Sequence, residues 1–226
     1  MFTFPILITL YAGFTHAFEA DHLLAVSSIV SGRHNIISSM KDGIFWGMGH
    51  ASTIFFVGVL MILFRVSISE LSFHYFEAAV GAMLISLAIY RMVQLIRTRR
   101  LVIHRHAHEH GDKAHKHLHV HIGKEQTHHH THSLAYGVGM IHGLAGSGAL
   151  VLVVMSQIKS PISGLIYLII FGGGGIGGML VAAGLFSLPF SKRIMQAQAL
   201  QNILIITSSL LCLVYGSKVI FENIIA

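Results

Sequence analysis

Six long apolar runs dominate this chain and leave it few ways to fold. They lie at about Phe4–Val30, Gly43–Phe64, Tyr75–Ile96, Leu134–Ser156, Pro161–Leu188 and Ala199–Ile220, each near or above the roughly 20 residues that carry a helix across a bilayer core. Charged residues make up only 11% of the chain against 54% apolar ones, and the mean hydropathy is +0.70, a composition foreign to an ordinary soluble domain. The sequence therefore predicts an all-α integral membrane protein with six transmembrane helices. The first run is too long for the apolar core of a cleaved secretory signal and is expected to stay in place as a span.

The placement of positive charge predicts orientation. Twelve of the fifteen Lys and Arg fall on one side of the predicted spans: Arg33, Lys41, the group from Arg91 to Lys124, Lys192 and Arg193. Arg65, Lys159 and Lys218 fall on the other. Positive charge is retained on the cytoplasmic side, so the chain is expected in the cytoplasmic (inner) membrane as a multi-pass protein, with both termini outside and the long central loop in the cytoplasm. The pI near 9.7 follows from this bias and from anionic lipid headgroups, and nucleic acid is not an expected partner. Cys212 is the only cysteine, which excludes an internal disulfide or a dithiol relay. The chain carries no G-x-x-x-x-G-K-[ST] phosphate loop, so energy from ATP would have to come through a separate subunit.

Between His104 and His132, twelve of the eighteen histidines stand among Lys, Gly, Glu and Asp. Such a segment buries almost nothing and is expected to be disordered without a ligand, while neutral imidazole suits zinc, copper, nickel and cobalt. It divides the chain into a first three-helix repeat at 1–97, a His-rich cytoplasmic loop at 98–132 and a second three-helix repeat at 133–226. An odd number of spans per half makes the second enter from the opposite face. Matching His16 to His142 aligns Gly13 with Gly139, and the Gly47-Met-Gly-His50 segment likewise matches Gly172 to Gly175. Two inverted three-helix repeats with substrate bound between them near the midplane are a common transporter design.

The first span holds His16, Glu19, Asp21 and His22 within seven residues. Ionisable groups at such depth cost several kcal/mol each and mark pathways or sites. On an unbroken helix, His16, Glu19 and His22 share an arc of roughly 120° and Asp21 points almost oppositely. Either the helix distorts locally, or Asp21 orients a histidine from behind, as carboxylates do for metal ligands. At about 1.5 Å per residue, His22, His50 and His142 come out level, roughly 10–15 Å from the cytoplasmic face, with His16 deeper. Taken singly, each is as well explained as a buried imidazole bonded to a neighbouring helix; together they form a nitrogen and oxygen donor set for a borderline divalent ion. His34 and His74 fall in loops or at span ends and are expected to be ordinary polar residues. Met48, Met140 and Met179 are expected to face lipid or to pack. Gly172–Gly175, Gly177 and Gly178 let backbones touch or a helix break, close packing being the expected role.

These residues resemble the nickel/cobalt transporter family, and most nearly its short UreH-like six-span relatives. The run Thr-His16-Ala-Phe-Glu-Ala-Asp21-His22 is similar to the family's signature helix motif, His-x4-Asp-His. Gly49-His50-Ala-Ser-Thr53 is similar to its second motif, and His142-Gly-Leu-Ala-Gly-Ser-Gly to the third in its UreH-like form. Typical members carry Arg and Asp where this chain has Thr15 and Glu19, and an acidic residue where it has Gly146 and Ser147. The resemblance implies secondary transport of Ni²⁺ or Co²⁺, with His16, Asp21, His22 and His50 as the residues carried over.

Combined, the expectation is a transporter, not an enzyme, that takes up a divalent transition metal as cargo and needs no resident cofactor. Nickel or cobalt is favoured and zinc is admitted, with His16, Glu19, Asp21, His22, His50 and His142 as metal-site residues. Its partners would be the ion, the lipid bilayer, a second copy of the chain and a cytoplasmic metallochaperone. Metal efflux and a non-translocating metal-binding accessory protein are the alternatives. An intramembrane serine protease built on Ser147 fares poorly, because the last span offers no histidine as base, and the His-Glu-x-x-His of a zinc protease is absent.

Overall fold

Local capping chemistry sets several of the helix boundaries. Asn35 is extended and accepts the backbone N–H of Ile37 at 2.9 Å, starting one helix, and Ser160 followed by Pro161 starts another, proline at a first helical position losing no hydrogen bond. A computed structural model describes residues 3–31, 33, 35–64, 69–98, 101–110, 113–122, 131–157, 160–190 and 198–225. In chain order the helices are α1 (Thr3–His16), α2 (Ala20–Val30), α3 (Ile36–Leu63), α4 (Glu70–Thr98), α5 (Thr131–Gln157), α6 (Pro161–Ser187) and α7 (Gln198–Ile220). Strands β1 (Leu101–His110) and β2 (Lys113–Ile122) lie between α4 and α5.

Among the described residues, four helical stretches are long and apolar enough to cross a membrane: Ile36–Leu63, Leu71–Arg97, Pro161–Phe190 and Ala199–Ile225. Large apolar side chains cover their outward faces, among them Phe56, Ile89, Ile162, Ile169 and Val214. This is the build of a multi-pass membrane protein, an all-helical bundle apart from one hairpin. The helix α5, 27 residues long, reaches about 40 Å at 1.5 Å per residue.

The first apolar run is not one helix. Phe18 and Glu19 donate to the carbonyls of Thr15 and His16 at 2.9 and 3.1 Å, a tightened last turn that ends α1. Glu19 then turns extended, and α2 restarts with Leu23 N–H bonded to the Glu19 carbonyl at 3.0 Å. Irregular backbone at membrane depth is tolerated where protein buries it, and Ala17 and His22 beside the break are buried.

Glycines hold the core together. The helix α3 packs against both α5 and α6, α1 packs on α6, and α4 pairs with α7, while α2 touches α3, α4, α6 and α7. A side chain at Gly13 would overlap the carbonyl oxygen of Phe171, and one at Gly174 that of Leu10, so α1 and α6 meet backbone to backbone. The same holds for α3 and α5, where Gly49 meets the carbonyl of Tyr136 and Gly139 that of Trp46. The glycine run of α6 thus serves close approach, and the helix continues unbroken through it.

The strands β1 and β2 form an antiparallel hairpin in which His104, His106 and His108 stand opposite His119, His117 and His115. The sequence alternates histidine with other residues on both strands, and that period of two is the strand period. The second helical half also begins earlier than expected, at Thr131, which takes His132 out of the loop and into α5. His34 lies outside the described residues.

Candidate metal centre

The break between α1 and α2 brings together what an unbroken helix would keep apart. His16 ends α1, while Asp21 and His22 open α2 in its first turn, where the positive end of the helix dipole favours a carboxylate. His50 comes from the middle of α3 and His142 from the middle of α5. The rings of His22 and His50 are 5.0 Å apart, those of His22 and His142 4.1 Å, and those of His50 and His142 6.1 Å, so the three imidazoles expected at one depth do meet. His16, expected deeper, joins them: its ring lies 4.6 Å from His22 and 5.5 Å from His50. The rise of an unbroken helix overestimates its distance.

Hydrogen bonds assign the tautomers. The Nδ1 of His16 lies 2.8 Å from Glu19 Oε1. Asp21 Oδ1 accepts the backbone N–H of His22 at 2.9 Å and lies 3.1 Å from the same residue's Nδ1, while Oδ2 lies 2.8 Å from His142 Nε2. An ionised carboxylate only accepts, so each of these ring nitrogens carries the proton. His16 and His22 therefore turn unprotonated Nε2 atoms inward. Both of these atoms, together with both ring nitrogens of His50, are buried with no hydrogen-bond partner among the described residues. Buried polar atoms left unsatisfied cost about 1–3 kcal/mol each, and an ion that accepts one lone pair from each of the three rings satisfies three of these four atoms, leaving the His50 N–H.

Two donor groups have atoms within 4.8 Å of one another: His16, His22 and His50, and Asp21, His22 and His142. In the second, Asp21, His22 Nδ1 and His142 Nε2 already bond to one another, which leaves His142 Nδ1 and His22 Nε2 unpaired. The first is the open one. Imidazole nitrogens bind such ions at about 2.1 Å, so two ligands of one ion stand at most about 4.2 Å apart, and inward rotations of under an ångström bring this group to that distance. Carboxylates behind metal-ligating histidines fix ring orientation and raise basicity, the position that Glu19 holds for His16 and Asp21 for His22.

The six residues singled out in the sequence thus cluster, in different places. His16, His22 and His50 converge, Asp21 links His22 to His142, and Glu19, 57% exposed at its side chain, joins through His16 alone and belongs to neither donor group. Local distortion and an orienting Asp21, alternatives in the sequence, are both present. Sequence reasoning missed Trp46, whose ring lies 5.6 Å from His22 and 5.8 Å from His142, and Phe171, 5.4 Å from His16; aromatic residues in an apolar span carry no signal of their own. It also missed buried Asp42, which accepts from Arg33 at 2.7 and 3.0 Å and lies 2.8 Å from His132 Nδ1. An ionisable residue inside an apolar helix was the available signal. His74 lies 2.8 Å from the Asn223 side chain near an exposed end, away from the cluster.

The chain is 35% identical over 179 residues to the urease accessory protein UreH of Bacillus sp. (strain TB-90), across 79% of this chain and 74% of that protein. The chain belongs to the UreH family. No family model matches it, and neither does any solved structure. Within this UreH-family chain, the cluster at the helix break is the one place among the described residues where three or more metal-ligating side chains converge.

Proposed function

We propose that this chain is a secondary transporter that takes up a divalent transition-metal cation, with nickel or cobalt favoured, and that the ion rests between His16, His22 and His50. The observation that carries this is the set of inward, unpartnered ring nitrogens on α1, α2 and α3, two of them backed by carboxylates. A urease accessory protein as relative and the motif resemblance to nickel/cobalt transporters support the choice of metal. The donor set is nitrogen-rich and lacks thiolate, which suits nickel, cobalt and zinc over magnesium or calcium.

Six crossings as two inverted repeats complete the proposal, with α1 and α2 forming one broken crossing. Packing supports the duplication. Matching His16 to His142 and Gly47 to Gly172 carries the contact of Gly13 with Phe171 onto that of Gly139 with Trp46. The contact of Gly174 with Leu10 goes onto that of Gly49 with Tyr136, and Gly47 with Ile176 onto Gly172 with Ala51. Each half thus meets the other through equivalent pairs, as a two-fold axis in the membrane plane requires. The mutual contact of Arg33, Asp42 and His132 gathers loop ends assigned to the cytoplasm at one end of the bundle.

X-ray absorption of the nickel-loaded protein lacking residues 105–131 tests the site. Three imidazole scatterers at about 2.0–2.1 Å that fall in number in His50→Ala are expected; a shell of water oxygens alone, unchanged in that variant, refutes it. The relative's being a urease accessory protein favours a second reading, a membrane metal-binding accessory protein, which would load the same site and move no ion across the bilayer.

A further inference from the structure

The half-helix α2 carries two of the central side chains, yet its eleven residues make little contact with α3, which carries His50. Its far end is held from elsewhere. Arg91 of α4, 9% exposed, donates through Nε to the carbonyl of Ser28 and through Nη2 to that of Ile29. These are carbonyls of the last turn, where helical partners run out, and that of Ser28 also accepts the Ser31 hydroxyl at 2.9 Å. Its remaining fork nitrogen, Nη1, donates to Gln94 Oε1 at 2.7 Å. Among the described residues, Arg91 takes part in no ion pair. A buried guanidinium without a carboxylate is costly inside a membrane span, and what this one does is grip the negative end of α2. From α7, Cys212 reaches the Leu24 carbonyl at 3.3 Å and the Ser28 hydroxyl at 3.2 Å, and α7 is locked to α4 where Gly81 and Gly216 each face the other's carbonyl.

We infer that Arg91 is a positioning residue for the metal site, setting where Asp21 and His22 stand against His16 and His50. The inference rests on the proposed metal-transport function. His16, His50 and His142 sit on three other helices, while Asp21 and His22 ride on a half-helix that packs on α6 and is hydrogen-bonded toward its far end to α4 and α7. Ile29 lies seven residues, about 10 Å along the axis, from His22. A tilt of about 10° about the Arg91 end therefore displaces His22 by about 2 Å, several times the ~0.5 Å within which a working site must be held. A guanidinium forked across two successive carbonyls fixes both rotation and tilt, which one ammonium cannot do.

Nickel uptake by the purified full-length protein in proteoliposomes tests this, with initial rates taken across Ni²⁺ concentrations and normalised to folded protein. Arg91→Met is expected to raise KM at least about tenfold, the lower end of what losing an orienting partner costs, and Arg91→Lys, which keeps the charge, to raise it less. A merely structural role would lower the amount of folded protein and Vmax and leave KM alone. An unchanged KM in Arg91→Met overturns the inference; should that variant not insert, an unchanged KM in Arg91→Lys does so. His50→Ala separates the two levels. If the parent shows saturable uptake that His50→Ala loses, the transport function stands and the Arg91 variants judge this inference alone. If the parent shows none, both fall.

Discussion

Replacing Asp21 with Asn keeps the side chain's shape and removes only its charge and one acceptor oxygen. In the parent, Oδ1 serves His22 and Oδ2 serves His142. An amide oxygen kept on the His22 side turns an NH2 toward the protonated Nε2 of His142, donor against donor. His142 escapes by moving its proton to Nδ1, which is buried with no partner among the described residues. The opposite amide orientation sets the NH2 against His22 Nδ1 and pushes that ring's proton onto Nε2, blocking the nitrogen turned toward the ion. Each arrangement costs about 1–3 kcal/mol. With the charge behind His22 gone and one of the two arrangements blocking its Nε2, metal affinity should fall about 10- to 100-fold, the range measured for lost partners behind metal ligands. Competition of Ni²⁺ against a chromophoric chelator, in protein lacking residues 105–131, reads this directly. The effect should shrink in a His142→Ala background, because the two residues act through one contact. Affinity within twofold of the parent would refute the orienting role of Asp21.

Deleting residues 105–131 should weaken metal retention in cells and leave the uptake rate of the reconstituted protein largely intact; loss of uptake by a stable deletion would make the hairpin part of the path. Gly174→Leu should force α1 off α6, since even a Cβ there overlaps the Leu10 carbonyl. Its cost should exceed the usual overpacking penalty of about 1–3 kcal/mol, visible as a lowered melting temperature in detergent, and a parental melting temperature would contradict the packing. A cysteine placed near residue 115 should react with an impermeant reagent only from the cytoplasm and one at Ser69 only from outside, Cys212 being buried; the reverse pattern would invert the orientation.

Five of the six apolar runs in the sequence correspond to long helices because segment length and hydropathy are set by the bilayer, not by distant contacts. The close-packing role of the α6 glycines was legible too, since only glycine lets backbones meet. Depth arithmetic brought His22, His50 and His142 together because straight helices turn sequence distance into height. It misplaced His16 because neither glycine nor proline marks the break at residues 17–19. What stabilises that break is tertiary, namely burial by neighbouring helices and the grip of Arg91 on α2. The roles of Arg91 and His132 were unreadable for the same reason, their partners lying many residues away in sequence, whereas Asp42 carried a signal as an ionisable residue in an apolar helix.

Flux through the purified protein tests the central claim most directly. Proteoliposomes holding equal amounts of parent, His22→Ala, His50→Ala or His74→Ala would be given Ni²⁺ or Co²⁺ outside, and the internal metal followed with time. Saturable accumulation is expected with the parent and with His74→Ala, whose side chain lies away from the cluster, and near loss with His22→Ala and His50→Ala. Uptake by both of these variants at the parental rate and affinity would show that the imidazoles at the helix break are structural and that the ion crosses elsewhere.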